Sequence, residues 1–351
     1  MTQFVYLSNA LSGTISRYKL HQGELTLLGE TEVGYMVMPM AVSPCQNYLY
    51  AAIHSEPFHL KQLRIDPQTG DLTLEGETPV NEGLVSLTTD KNNQWLLASS
   101  FDQHNVVAKP MTETGHFTDK TVTIKHSSAC HTCLFSPDDK WMVATEFGVD
   151  KILVYPRPNS EGIVDKPVAS YQFAKDAGPR HIAFSPCGAF LYVVTEMDAT
   201  VVTLTFDSET GQLEFVAESP AIPREALELE RGLPPAQKVA NDVPRVWAAD
   251  IHITRDGRFI YVSERTLSVI ACLEVDKNTH IPYYRHHHKV EKQPRSFIIS
   301  PDDQYILASG ELADELGAYS IDANTGQLSK VSAAPCGEGA GWVSMTDYRL
   351  S

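Results

Sequence analysis

The chain has 351 residues, with 44 acidic against 28 basic side chains and a formal net charge of −16. A surface of that sign repels nucleic acid and anionic membranes, so neither is expected as a partner, and an anionic metabolite would need a local cluster of arginines. Hydrophobic residues at 42% and charged residues at 21% are ordinary globular composition, neither disordered nor membrane-like.

Met1 is followed by Thr-Gln-Phe-Val-Tyr-Leu-Ser, which has no basic leader and no long apolar stretch, and nowhere do 18 apolar residues run together. A cytoplasmic protein is expected. Six cysteines spread over this length lack the density of a secreted disulfide scaffold and are expected to be reduced. Phe4-Val-Tyr-Leu, Thr14-Ile-Ser-Arg-Tyr and Gly23-Glu-Leu-Thr-Leu read as three strands that open the chain in the middle of a repeating unit.

The repeat begins at Ser43-Pro-Cys-Gln-Asn-Tyr48: a hydroxyl residue, turn residues, then an aromatic that opens an apolar run. Thr89-Asp-Lys-Asn-Asn-Gln-Trp95 is a looser copy, followed by Ser136-Pro-Asp-Asp-Lys-Trp141, Ser185-Pro-Cys-Gly-Ala-Phe190, Thr254-Arg-Asp-Gly-Arg-Phe259 and Ser300-Pro-Asp-Asp-Gln-Tyr305. The aromatics recur every 46–49 residues except across one gap of 69. That gap contains a proline-rich, charged stretch at about 218–244, expected as a surface insertion in one unit. Later in several units a Thr-Gly turn (Thr69-Gly70, Thr114-Gly115, Thr210-Gly211, Thr325-Gly326) joins two further apolar alternations.

Four strands at this period mark a propeller blade. Six internal units, plus one assembled from the opening strands and the closing Gly341-Trp-Val-Ser-Met345, predict an all-β, seven-bladed β-propeller of four-stranded antiparallel blades. The N- and C-terminal strands would close the ring in one blade, and residues 1–351 would form a single domain.

In a propeller the innermost strands line a central channel, so equivalent positions form rings. Five residues before each hydroxyl residue stand Met38, Leu84, His131, Arg180, Ala249 and Arg295, with Asp250 beside Ala249. Eleven residues after it stand His54, Glu196, Arg265 and Glu311, and ten after it, in the third unit, Glu146. Both sets are expected at one mouth. There an imidazole or carboxylate could handle protons, and fork-shaped guanidiniums could hold an anion.

Ala129-Cys-His131, Gly178-Pro-Arg180-His181, Thr195-Glu196, Trp247-Ala-Ala-Asp-Ile-His252, Glu264-Arg265-Thr266, Gln293-Pro-Arg295 and Gly341-Trp342-Val343 together resemble the bacterial propeller 6-phosphogluconolactonases. More broadly, they resemble the lactonase family that includes the fungal 3-carboxymuconate lactonising enzymes. The resemblance runs over nearly the whole chain. It implies cofactor-free, metal-independent hydrolysis of a small anionic sugar lactone, with 6-phosphogluconolactone, an intermediate of the pentose phosphate pathway, as the expected substrate. An unphosphorylated aldono- or aldarolactone, or a muconate-type cycloisomerisation, is the alternative, and a non-catalytic scaffold is the more distant one. The catalytic residues implied are His131, Glu196, Arg180 and Arg265. Water would attack the lactone carbonyl, with either His131 or Glu196 taking the proton. Arg295, His181, Asp250, Glu146 and Glu311 are the expected substrate contacts.

Other signals carry less. Cys130-x-x-Cys133 has no second pair nearby, and strand residues three apart should face opposite sides. His286-His-His288 fits a solvated edge better than a metal site. Asp250 and His252, two apart, read as a hydrogen-bonded pair bracing the rim, and no Gly-x-Ser-x-Gly or phosphate-loop pattern occurs.

Overall fold

The hydroxyl residue of each repeat closes the turn between the first two strands of a blade. Backbone N–H groups of Tyr48, Trp141, Phe190, Phe259 and Tyr305 donate to the side-chain oxygens of Ser43, Ser136, Ser185, Thr254 and Ser300 at 2.9–3.1 Å. Three residues into each turn the backbone is left-handed, at Gln46, Asp139, Gly188, Gly257 and Asp303. In the second unit Asp90 does this work, accepting from Trp95 N–H at 2.8 Å, with Asn93 left-handed. The repeat is therefore anchored there on Asp90, one residue beyond Thr89. The equivalent of His131 is Val85, while Leu84 is fully buried.

The structure is a computed structural model and describes residues 3–159, 166–234, 237 and 243–346. Among them are seven four-stranded antiparallel sheets. Their innermost strands are β4 (Val37–Val42), β8 (Ser86–Thr89), β12 (Cys130–Phe135), β16 (Pro179–Phe184), β20 (Ala248–Ile253), β24 (Phe297–Ile299) and β28 (Ala340–Met345). Each touches the next and β28 returns to β4, so the ring closes. The closing blade runs β28, β1 (Gln3–Asn9), β2 (Thr14–His21), β3 (Glu24–Glu32), with Val5 opposite Met345. Pairing the two termini in one sheet leaves no free radial edge. The apolar cores lie between neighbouring blades; one, for example, joins Tyr192, Val194 and Val201 to Ile251, Ile260 and Val262.

Several inner strands carry a β-bulge at the same height, between Val37 and Met40, Cys130 and Cys133, Pro179 and Ile182, and Ala248 and Ile251. A bulge breaks strict alternation and re-aims side chains. Cys130 and Cys133 consequently enter the same apolar cluster, against the expectation of opposite faces, and both thiols are free. The bulged N–H groups are satisfied from the second strand: Thr132 N donates to Thr145 Oγ1 and Asp250 N to Ser263 Oγ, at 3.1 and 3.0 Å.

The strand preceding the expected insertion, β19 (Leu213–Pro220), continues through Pro220. The excursion therefore starts after it, and residues 235–236 and 238–242 lie outside the described residues. The rest is less of a surface feature than expected. Ala221, Ile222, Leu229 and Val246 are buried, Gly232 N donates to Met197 O, and Arg231 clasps Asp198 at 2.6 Å. The excursion thus packs beside Glu196. The triple histidine lies on β23 (Pro282–Lys289), the outermost strand of its blade.

Candidate active site at one mouth of the ring

Where each second strand ends, the chain turns back over the start of its inner strand. The turn is closed by the same backbone bond in five blades: His54 to Met36, Phe147 to Ala129, Glu196 to Gly178, Arg265 to Trp247 and Glu311 to Gln293. These five positions are therefore structurally equivalent. The third blade contributes Phe147 to this ring, so the ten-residue count that selected Glu146 fell one residue short. Phe101 follows the second blade's β9 (Trp95–Ser100) in the same way.

His131, Arg180, Glu196, Arg265 and Arg295 line one depression of about 200 Å³, together with His54, Val85, Phe101, Asp102, Phe147 and Trp247. Glu196 is its electrostatic centre. Oε2 lies 2.9 Å from Arg180 Nε and 2.9 Å from Arg265 Nη2, and Oε1 accepts from Trp247 Nε1 at 3.1 Å. The Arg265 guanidinium also stacks over the Trp247 ring at 3.7 Å. Only 1% of Arg180, 4% of Arg265, 5% of His131 and 6% of Glu196 is exposed. Charges this deep persist only when paired, and each arginine is anchored again by backbone carbonyls, Ala249 for Arg180 and Trp247 and Ala248 for Arg265.

Burial and the neighbouring Arg265 push the Arg180 guanidinium down to about 9, against the pull of Glu196. Burial, then Arg180, His181, Arg295 and Arg265, holds His131 well below the usual imidazole range. His131 is therefore neutral at pH 7 and able to accept a proton. Arg295 also lines the depression, its Nη1 on Glu311 at 3.1 Å.

The remaining expected contacts stand elsewhere. Glu146 faces away, accepting from the backbone and hydroxyl of Ser127 at 2.7 and 3.0 Å and pairing with His126. Burial opposes its charge, but these hydrogen bonds hold its pKa below the usual value. Glu311 reaches the site through its ion pair with Arg295 and lines a separate groove with Glu291 and Glu315. His181 and Asp250 lie one step down the axis, bonded at 2.6 Å, in a channel cavity of about 430 Å³ that takes residues from all seven blades. His252 is bonded to Asp250 there at 3.3 Å. Among the described residues no group of three or more His, Cys, Asp or Glu is placed to hold a metal ion.

Trp247 and the aromatic wall of Phe101 and Phe147 were not singled out as site residues from the sequence. Trp247 had a usable signal, lying two residues before the ring position Ala249. Phe101 and Phe147 had one only once the repeat was anchored correctly.

The chain matches the profile of the family described as Lactonase, 7-bladed beta-propeller, over residues 4–345. It is 31% identical to a 6-phosphogluconolactonase of Pectobacterium carotovorum subsp. carotovorum, covering 98% of this chain and 99% of that one. It is 29% identical to a 6-phosphogluconolactonase of Yersinia pseudotuberculosis, covering 98% of each. Among solved structures it superposes on a protein from Lactobacillus plantarum at a TM-score of 0.85 with 20% identity, covering 99% of this chain and 100% of that one. It also superposes on a periplasmic gluconolactonase of Pseudomonas aeruginosa at 0.80 with 18% identity, covering 99% of both. At those identities the two structures speak for the fold alone.

Proposed function

The chain belongs to the seven-bladed β-propeller lactonase family, and from that premise we propose that its mouth hydrolyses a sugar lactone, with 6-phosphogluconolactone as the substrate. The observation that carries the reading is a buried carboxylate, Glu196, gripped by two guanidiniums beside a neutral imidazole and a third guanidinium. A lactone carbonyl needs a partner for its developing oxyanion and a group to take a proton from water, and this arrangement supplies both.

Water adds to the carbonyl carbon while His131 or Glu196 takes one of its protons. The tetrahedral oxyanion forms against Arg180 and Arg265, whose rigid anchoring requires no reorganisation at that moment. Collapse breaks the ring C–O bond, the leaving oxygen takes the proton, and the product acid releases one proton to solvent. A lactone is activated enough that no covalent nucleophile is required. Six free thiols support a reducing, cytoplasmic setting.

Arg295 is partly exposed and held by a single carboxylate, which suits a group that binds the substrate's phosphate rather than its reacting carbon. Arg295→Ala is expected to raise KM for 6-phosphogluconolactone about tenfold or more, the worth of a charge-assisted hydrogen bond. KM for unphosphorylated gluconolactone should hardly change. Initial rates on both lactones, corrected for spontaneous opening, check this. Equal effects on the two would argue against a phosphate site at Arg295. Failure of the parent to hydrolyse either would remove the proposal.

A further inference from the structure

His181 and His131 lie on neighbouring inner strands, β16 and β12, and their ring centroids are 5.0 Å apart. That is close to the ~5 Å spanned by two imidazoles joined through one N–H···N hydrogen bond of ordinary length. His131 Nδ1 and His181 Nε2 are both buried, and neither has a hydrogen-bond partner, each other included. Two neighbouring rings thus each keep one nitrogen in reserve inside the protein, where an unmatched polar atom is costly.

The other end of His181 is fixed. Its Nδ1 lies 2.6 Å from Asp250 Oδ1. A carboxylate only accepts, so Nδ1 carries the proton and Nε2 presents a lone pair. Asp250 is held in place in turn, accepting from Ile251 N at 3.0 Å and Phe297 N at 3.3 Å and pairing with His252. Burial opposes its charge, but His252 and His181 keep it ionised. The bulge at Pro179–Ile182 is what permits this chain. It lets Arg180 line the mouth while His181, the next residue, lines the channel.

We propose that Asp250, His181 and His131 form a buried relay through the ring axis that makes His131 the general base of the mouth, with His181 and Asp250 as positioning residues that never touch the substrate. This rests on the reading of the mouth as a lactone hydrolase. In the relay His131 turns its Nδ1–H onto His181 Nε2, which leaves His131 Nε2 with its lone pair toward the attacking water. As water adds, its proton passes to Nε2. The resulting imidazolium shares its Nδ1 proton with His181, and Asp250 stabilises the charge until the proton on Nε2 passes to the leaving ring oxygen. Glu196, ion-paired with Arg180 and accepting from Arg265 and Trp247, is occupied in holding the arginines.

The groups facing His131 are Arg180 and His181 from β16, Arg265 after β21 (Phe259–Glu264) and Arg295 before β24, with Phe101 and Phe147 against the ring. His54, Asp102 and Glu196 share its depression. His181 faces Asp250, Arg180 and His252. The cations around His131 oppose its protonation, and the relay's one buried anion, Asp250, is what favours it.

Asp250→Asn tests this, because an amide oxygen can still accept at the Oδ1 position while the charge is removed. The expected result is a kcat about 10²-fold lower, KM within about threefold of the parent, and an acid limb of the pH–rate profile moved to lower pH. A role in folding alone would lower stability and leave the acid limb in place, which would overturn the relay. If His131→Ala is inactive but Asp250→Asn keeps the parent's rate and acid limb, the relay falls and the lactonase reading stands. A second measurement needs neither activity nor a variant: nitrogen-15 NMR of the histidine rings in the intact parent should find the His131 proton on Nδ1. Finding it on Nε2 would overturn the relay, even if His131→Ala retained the parent's rate and the lactonase reading had failed.

Discussion

Glu196→Gln is expected to lower kcat by about 10³ and to destabilise the protein by about 3–5 kcal/mol, because it removes the one charge that two buried guanidiniums share. Glutamine has nearly the same shape, so the packing survives. Its amide, however, offers an N–H₂ group to a guanidinium that can only donate. Arg180 and Arg265 would then repel each other and lose the alignment that an oxyanion requires. Glu196→Asp separates the two effects. It keeps the charge at shorter reach, so most of the stability should return while kcat stays at least tenfold down. Thermal unfolding paired with background-corrected rates checks both, and a Glu196→Gln protein with the parent's rate would show that the carboxylate has no part in the reaction.

Arg180→Lys should lower kcat by about 10²–10³ and leave KM within a few-fold. Arg180 now spans Glu196 through Nε and the Ala249 carbonyl through Nη1 at 2.6 Å, and among the described residues its remaining terminal nitrogen enters no hydrogen bond or ion pair. A lysine has one nitrogen for these three tasks and no planar fork. The loss should fall on the transition state, because the interaction strengthens as the carbonyl oxygen gains charge. A raised KM with unchanged kcat would instead make Arg180 a ground-state anion contact.

The repeat made the fold readable, because the side chain that closes each turn is also the side chain that marks the sequence. Ser43, Ser136, Ser185, Thr254 and Ser300 accept from the aromatic N–H five residues on, and that chemistry fixes blade number and register together. Where another residue type did the same work, the count slipped. Asp90 replaces the hydroxyl in the second blade, which displaced Val85 and hid Phe101. In the third blade the ten-residue step chose Glu146 over Phe147, because a carboxylate looks functional and a phenylalanine does not. Position-counting alone reached His131, Arg180, Glu196, Arg265 and Arg295, since ring equivalence follows from the period.

It could not separate Arg180 from His181, or Ala249 from Asp250, by depth. The bulges that send one residue to the mouth and the next down the channel leave no mark in residue type. The partnership of His181 with Asp250 crosses between blades 69 residues apart, a distance over which the repeat predicts proximity but not which side chains bond. The contribution of 221–234 and 243–247 to the rim was likewise hidden, because a proline-rich charged stretch reads as solvent-exposed until Arg231 and Gly232 are seen packed beside Met197.

The most direct test of the account is the rate at which the purified protein opens freshly generated 6-phosphogluconolactone, followed by NMR against spontaneous hydrolysis, for the parent and for folded His131→Ala. The account predicts catalysed opening by the parent and a fall of about 10³ in His131→Ala. The parent's rate should stay level near neutrality and decline only below about pH 6.5, since burial, and after it the surrounding arginines, hold the His131 imidazole below its ordinary value. Equal rates for the two proteins, or a parent no faster than the spontaneous reaction, would contradict it.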